Sequence, residues 1–238
     1  MRVRSNLDNM FIKVDLHTHS ELSFDGRDSV ENLLERASLV GLDAIAITDH
    51  DEIDASLEAE RKSSKYDVIA IPGMEVTSDV GHVLAIGIRE YVEKGLSFEE
   101  TVERIRELGG VAIVPHPFQK TRHGVGVKIS DERLSKIDAV EVYNSRWITG
   151  KGNRRAKHFA ERHNLTMTGG SDAHIAKMVG MAGVRVQTEG EDTVESIVKS
   201  IRDGKTEVWG QRTPLGITIS QGASGIDRVI KRRIKKKR

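Results

Sequence analysis

The chain has 238 residues and no cysteine, and 31% of its residues are charged. This length suits one large α/β domain, and the missing thiols exclude disulfides and thiolate metal sites, so any metal needs nitrogen and oxygen ligands. No apolar run approaches the roughly 18 residues of a membrane span, and the N-terminus lacks a signal-peptide pattern. We therefore expect a soluble, cytoplasmic protein that does not associate with membranes.

Short apolar strands alternate with amphipathic helices along the chain. The helix after the first strand has apolar residues at helical spacing from Val30 to Ala37. A later helix opens with a capping box of Ser97 and Glu100. The predicted strands are MFIKVDL, LDAIAITDH, DVIAIPGMEV, HVLAIGI, VAIVPHP, DAVEVYN, LTMTGGSD and GVRVQT.

Repeated strand–helix units with short links indicate a parallel α/β fold, and this number of strands fits a barrel better than two domains. Neither a Pro- or Ser-rich linker nor a large insertion interrupts the pattern, so a single domain without an inserted cap domain is expected. The pattern weakens from Gly210 onward. We therefore divide the chain into a barrel domain of residues 1–210 and a C-terminal extension of residues 211–238.

The extension ends in RVIKRRIKKKR, which has eight basic residues from Arg228 to Arg238 and no acid. Without them, 29 lysines and arginines oppose 36 aspartates and glutamates, so the body is acidic by about 7 charges. Basic blocks of this kind either bind nucleic acid or remain solvated. Both interpretations stay open, and nucleic acid is a candidate partner of this tail.

Histidines and acids concentrate at the ends of the predicted strands. His17 and His19 point to one face of an extended chain because they lie two positions apart, and Asp172 and His174 repeat this spacing. In a barrel, the ends of successive strands share one mouth. His82 is the exception, because it precedes its strand, which either runs the other way or curls over the mouth. The candidate metal ligands are His17, His19, Asp25, His50, Glu75, His82, His116, Asp172 and His174.

The motifs DLHTHS, TDHD, GME with GHVL, PHP and SDAH occur in this order within residues 14–174. The series resembles the polymerase-and-histidinol-phosphatase (PHP) family of metal-dependent phosphoesterases. This resemblance implies a distorted (β/α)7 TIM-like barrel with up to three divalent metal ions at its mouth. Imidazole and carboxylate ligands without thiolate suit zinc, manganese or iron.

The resemblance also implies how the metal ions share their ligands. An aspartate at position 25, where some family members carry histidine, resembles both the nucleotide-directed and the histidinol-phosphatase branches. The implied ligand sets are His17, His19, Glu75 and Asp172 for one ion; Glu75, His82 and His116 for a second; and Asp25, His50 and His174 for a third.

Several residues near the motifs are candidates for supporting roles. Asp15 is predicted to accept a hydrogen bond from a ligand histidine, or else to cap the strand end. Arg146, which follows the strand DAVEVYN, is the favoured phosphate contact. The basic loop after PHPF offers further substrate contacts or is simply solvated. Its residues are Lys120, Arg122 and His123.

These features predict a phosphoesterase that hydrolyses phosphate esters of small metabolites, nucleotides or short nucleic-acid ends with a metal-bridging hydroxide. Either a metal-bound water or His174 is the candidate general acid. Histidinol-phosphate phosphatase is the alternative within the family. An alternative of another class is a non-catalytic metal-binding module that serves a polymerase or nucleic acid, although the complete set of candidate ligands argues against it.

Overall fold

The strands of this protein are arranged in two five-stranded sheets. The computed structural model describes residues 10–119, 123–147, 149–214 and 216–217. Within these residues lie ten strands, two more than the sequence pattern predicts. The strands are β1 (Met10–Thr18), β2 (Ala44–Ile47), β3 (Ile69–Ile71), β4 (Gly73–Thr77), β5 (His82–Ile86), β6 (Val111–Val114), β7 (Ala139–Asn144), β8 (Thr166–Gly170), β9 (Ala182–Thr188) and β10 (Thr206–Gly210).

Six α-helices connect these strands within the described residues. The apolar residues of the first helix are buried as predicted. The predicted capping box opens the third helix. There the Ser97 side chain accepts a hydrogen bond from Glu100 N at 3.3 Å, and Ser97 N donates one to Glu100 Oε2 at 3.0 Å. None of the helices described is long and apolar enough to span a bilayer. The helices are α1 (Val30–Leu39), α2 (Asp54–Lys62), α3 (Phe98–Glu107), α4 (Asp131–Leu134), α5 (Lys151–His163) and α6 (Val194–Arg202).

The sheets combine parallel and antiparallel pairs. The first has the order β10-β9-β1-β2-β3 and the second the order β4-β5-β6-β7-β8. Strands β1, β2 and β3 are parallel, as are β6, β7 and β8. Strand β9 is antiparallel to β1 and β10, and β5 is antiparallel to β4 and β6. The reversed β5 confirms one of the two options for the strand that His82 opens.

A single residue separates the two sheets where the sequence predicts one continuous strand. The run DVIAIPGMEV breaks at Pro72, and β3 and β4 on either side of it belong to different sheets. Proline has no N–H for a ladder hydrogen bond, so it favours a strand end at this position. The chain therefore passes directly from the first sheet into the second, which carries Glu75 three residues after Pro72.

Two single β-bridges join the sheets near the predicted ligands. Thr18 of β1 pairs with Ala173, which follows β8, and His50, which follows β2, pairs with Glu75 of β4. Apart from these bridges, the described strands form two separate sheets instead of one closed sheet. The mixed α/β class is confirmed, whereas the predicted distorted (β/α)7 TIM-like barrel is not, because the two sheets do not close into one.

One apolar core is shared by both sheets. Ile12 and Val14 of β1 pack in the same cluster as Leu84 of β5 and Ile113 of β6, and all four side chains are buried. Two further cores form where helices cover strands, with α1 and α2 in one and α3 and α5 in the other. The polar residues at the strand ends are therefore held by strands that are packed on both sides.

Candidate metal centre

The predicted ligands lie at one end of the strands, where the two bridges join the sheets. Because β5 runs antiparallel, its first residue, His82, reaches the end at which the parallel strands finish. His116 and Asp172 turn the chain sharply after β6 and β8, with left-handed φ values of 31° and 51°. All nine predicted ligands belong to at least one of four groups whose ligand atoms lie within 4.8 Å of one another.

Glu75 is the centre of this cluster. Its side chain is buried, and five imidazoles lie within 3.6 Å of its two carboxylate oxygens. A carboxylate shared in this way can bridge two cations, because each oxygen faces a different set of imidazoles. Glu75 Oε2 lies 3.3 Å from His17 Nε2, His19 Nε2 and His50 Nδ1, and Oε1 lies 2.9 Å from His82 Nδ1 and 3.6 Å from His116 Nε2.

The four groups overlap with the ligand sets that the family resemblance implies, but they are not identical to them. Asp25 Oδ2 lies 2.7 Å from His174 Nε2 and 3.6 Å from His50 Nε2, as the implied third set requires. His82 and His116 are implied to share a metal ion, yet they fall into different groups. The groups are His19, Asp25, His50 and His174; His17, His19 and Glu75; His50, Glu75 and His82; and His17, His116 and Asp172.

Six buried nitrogen and oxygen atoms of the cluster form no hydrogen bond within the described part of the chain. Even the close approach of His82 to Glu75 lacks hydrogen-bond geometry. Folded proteins leave few such atoms, because each costs about 1–3 kcal/mol. Converging imidazole nitrogens and carboxylate oxygens are a donor set that divalent cations use, so these residues fit divalent metal binding. The atoms are Nδ1 and Nε2 of His19, Nδ1 of His50, His82 and His116, and Oε1 of Glu75.

The pKa shifts of Glu75 and His19 favour the forms of these two residues that bind metal ions. Burial opposes ionisation of Glu75, yet the imidazoles of His50 and His82 hold the pKa of its carboxyl well below the usual value. Burial, with the nearby imidazoles of His174 and His50, lowers the pKa of His19 well below its usual value. An ionised carboxylate and a neutral imidazole are the forms that bind metal ions.

Comparison with known proteins identifies the family of this chain. Residues 150–206 match the family model described as PHP-associated. The uncharacterized protein MJ1587 of Methanocaldococcus jannaschii is 37% identical over 144 residues, which cover 56% of this chain and 82% of that protein. A second protein of that organism, MJ0417, is 32% identical over 178 residues, 73% of this chain and 70% of its own length. The chain belongs to the PHP family.

A further relative in sequence covers a smaller part of the chain. It is the phosphoribosyl 1,2-cyclic phosphate 1,2-diphosphodiesterase of Eggerthella lenta. The two proteins are 34% identical over 82 residues, which cover 32% of this PHP chain and 31% of the relative. This similarity therefore concerns about a third of each protein.

Solved structures share the fold of this PHP chain at lower sequence identity. A two-domain protein from Bacteroides vulgatus that contains a predicted PHP-like metal-dependent phosphoesterase has a TM-score of 0.73 at 22% identity, over 87% of this chain and 67% of its own. PsfC from Pseudomonas syringae has a TM-score of 0.69 at 19% identity, over 92% of this chain and 98% of its own. The lesion-specific endonuclease PfuEndoQ from Pyrococcus furiosus has a TM-score of 0.60 at 22% identity, over 84% of this chain and 58% of its own.

Glu141 supports the centre, although none of the PHP motifs recognised in the sequence contains it. It lies in β7 with its side chain buried, and Oε1 is 3.0 Å from His17 Nδ1. Oε2 accepts hydrogen bonds from His116 N and from Asn144 Nδ2, both at 2.9 Å. Asn144 Nδ2 also donates to Asp172 Oδ2 at 3.1 Å. Glu141 therefore holds His17 by its Nδ1 atom and leaves Nε2 directed at Glu75.

Asp15 matches the second of its two predicted roles, a cap of backbone groups at the strand end, instead of contacting a ligand imidazole. Its carboxylate accepts hydrogen bonds from the backbone N–H groups of His17 at 3.3 Å, Ser171 at 3.0 Å and Gly180 at 3.0 Å. Burial raises the pKa of this carboxyl to about 6, against the opposing effect of these donors. Asp15 thus ties β1 to the chain after β8, while Glu141 contacts the imidazole of His17.

Arg146 is the predicted substrate contact that reaches the cluster. Its Nη1 atom lies 2.9 Å from Asp172 Oδ1 and 3.0 Å from His174 Nδ1. His123 is exposed, its ring centroid is 5.2 Å from that of His82, and its carbonyl oxygen accepts from His82 N at 3.3 Å. Lys120 and Arg122 lie outside the described residues.

The loop that carries Asp25 is held by a close backbone contact, which predicts the effect of one substitution. A Cβ atom at Gly26 would lie 1.9 Å from the carbonyl oxygen of Ser20. We expect Gly26→Ala to displace this loop, to reduce bound metal and to destabilise the fold by about 1–3 kcal/mol. Calorimetry and metal analysis measure both effects. Gly216→Ala is the control, because no atom of the described residues lies within 4 Å of its Cβ position; equal stability and metal content in both variants would contradict the prediction.

Proposed function

We propose that this chain is a divalent-metal-dependent phosphoesterase that hydrolyses phosphate esters of nucleotides or of nucleic-acid ends. The observation that carries the proposal is the buried carboxylate of Glu75 with five imidazoles within 3.6 Å of it. This is a far denser set of donors than a structural ion needs, since structural zinc sites commonly use about four ligands. Membership of the PHP family supports the same reaction class.

The chain's own residues have distinct roles in this proposal. The nine clustered residues hold the metal ions, and Asp25, Glu75 and Asp172 supply the negative charge among the imidazoles. Divalent ions bound here supply Lewis acidity to phosphoryl oxygens and make water more acidic. Glu141 and Asn144 keep His17 and Asp172 in place through their hydrogen bonds.

Arg146 and His174 are assigned by their surroundings. Arg146 places a guanidinium at the edge of the cluster, with 18% of its side chain exposed, so it is positioned to contact a phosphate oxygen. Burial, together with the neighbouring Arg146, lowers the pKa of His174, which favours a neutral imidazole. A neutral imidazole is suited to binding a metal ion, so we assign His174 as a ligand in preference to the general acid.

The substrate class is supported by what the relatives are named for. One is a phosphodiesterase of a phosphoribosyl cyclic phosphate, and one neighbour in structure is a lesion-specific endonuclease. Both act on phosphoesters of sugars or nucleotides, so we favour nucleotides and nucleic-acid ends over histidinol phosphate. The division at residue 210 and a nucleic-acid role for residues 228–238 remain proposals, since that tail lies outside the described residues. A metal-binding module without catalysis is the remaining alternative.

Metal analysis and a substrate panel test this function. We expect purified protein to contain more than one divalent ion per chain and to lose both the ions and its activity on dialysis against a chelator. Hydrolysis is measured as phosphate or nucleoside release from nucleoside monophosphates, 3′,5′-bisphosphates, short oligonucleotides and histidinol phosphate. Activity that survives complete removal of metal would contradict the mechanism, and metal-loaded protein that cleaves none of these esters would favour the non-catalytic alternative.

A further inference from the structure

Phe24 is an exposed aromatic residue beside the metal centre. It lies in the loop of residues 21–26 between β1 and α1, and 58% of its surface is accessible. Its ring is stacked on the imidazole of His50, with centroids 4.8 Å apart and an interplanar angle of 27°. Leu22 on the same loop is 52% exposed. Water contacts with an apolar ring are unfavourable, so the exposed part of the Phe24 ring offers an apolar surface to a ligand bound at the centre.

The loop that presents Phe24 is well ordered by hydrogen bonds. Glu21 N donates to the carbonyl oxygen of Asp28 at 2.8 Å, and Leu22 N donates to Ser20 Oγ at 3.1 Å. Ser23 Oγ donates to Asp25 Oδ1 at 2.9 Å. Phe24 lies between Ser23 and Asp25, the two residues that this last hydrogen bond joins. Its ring is therefore presented at a fixed position next to a predicted metal ligand.

We propose that Phe24 is a stacking platform for the base of a nucleotide whose phosphate ester binds at the metal centre. This inference rests on the proposed phosphoesterase function and specifies its substrate class. One face of the ring is occupied by His50, and the exposed part of the ring is available to a second flat group. Every nucleobase offers such a face, whereas a sugar phosphate without a base would place hydroxyl groups against an apolar surface.

The test compares two esters that share a phosphate and a ribose but differ in the base, AMP and ribose 5-phosphate. We expect the wild-type protein to have a higher kcat/KM for AMP. Phe24→Ala should lower the ratio of the two kcat/KM values about tenfold, and Phe24→Trp should preserve it, because base stacking on an aromatic ring has effects of this size. Any loss caused by a displaced His50 affects both esters and cancels in the ratio.

Leu22→Ala is the matched control, because it removes an exposed apolar side chain from the same loop without removing an aromatic ring. It should keep the wild-type ratio. If metal-loaded protein cleaves both esters and Phe24→Ala keeps the wild-type ratio, the stacking platform is wrong and the phosphoesterase function stands. If metal-loaded wild-type protein cleaves neither these esters nor any other phosphate ester, both proposals are overturned.

Discussion

Replacing Glu75 by glutamine is expected to lower phosphate-ester hydrolysis more than about a hundredfold and to reduce the bound metal, because residues that merely support a ligand already contribute about 10- to 100-fold. The substitution preserves the shape of the side chain and removes its charge. Both oxygens of Glu75 face imidazoles, so an amide would turn an N–H donor toward one of these sets. Metal content by mass spectrometry and kcat/KM for the best substrate measure the effect.

Glu103→Gln is the control for this substitution, because it makes the same chemical change at an exposed position of α3. We expect it to retain the wild-type metal content and rate. Circular dichroism of both variants shows whether each retains the fold. A folded Glu75→Gln protein that binds the same amount of metal and hydrolyses the ester at the wild-type rate would contradict the central role of this carboxylate.

The sequence predicts well which residues the structure brings together at this end of the strands, because they follow strands in short motifs. His17 and His19 are two positions apart in an extended segment, and the structure places both against the same oxygen of Glu75. Strand ends are local features, and apolar runs indicate them clearly. The sequence left open whether the strand that His82 opens is reversed, and the structure shows that β5 is antiparallel to its neighbours.

What the sequence does not predict depends on contacts between distant segments. Glu141 sits inside the apolar run AVEVYN, where an isolated acid is the only sign that its side chain faces polar partners. Strand β10 is missed because TEVWG is short and pairs with β9 by tertiary contact. The break at Pro72 could have been recognised, since proline is rarely found inside a sheet. The separation into two sheets follows from that break, but the apolar residues continue on both sides of Pro72, so the pattern reads as one strand.

Replacing Glu141 by glutamine is expected to weaken metal binding by about 10- to 100-fold, as is typical for a residue that orients a ligand histidine. The carboxylate accepts from His116 N and Asn144 Nδ2 through one oxygen and contacts His17 Nδ1 through the other. A glutamine at this position must turn its NH2 group either toward His17 or toward the other two donors. The first orientation requires His17 Nδ1 to accept, which moves the proton of the imidazole to Nε2, the nitrogen that faces Glu75. The second orientation makes the N–H donors of His116 and Asn144 face the NH2 group, which is also a donor. Competition with a chelator of known affinity measures the change in metal Kd.

The metal dependence of the rate separates this positioning role from a general loss of structure. If Glu141 acts by orienting His17, excess metal should restore most of the kcat of Glu141→Gln, because the nine clustered residues are all retained. The metal concentration needed for half-maximal rate should rise by the same factor as the metal Kd. Glu207→Gln, an exposed glutamate on β10, should change neither quantity. A Glu141→Gln variant with the wild-type metal Kd would show that the contact with His17 contributes only to packing.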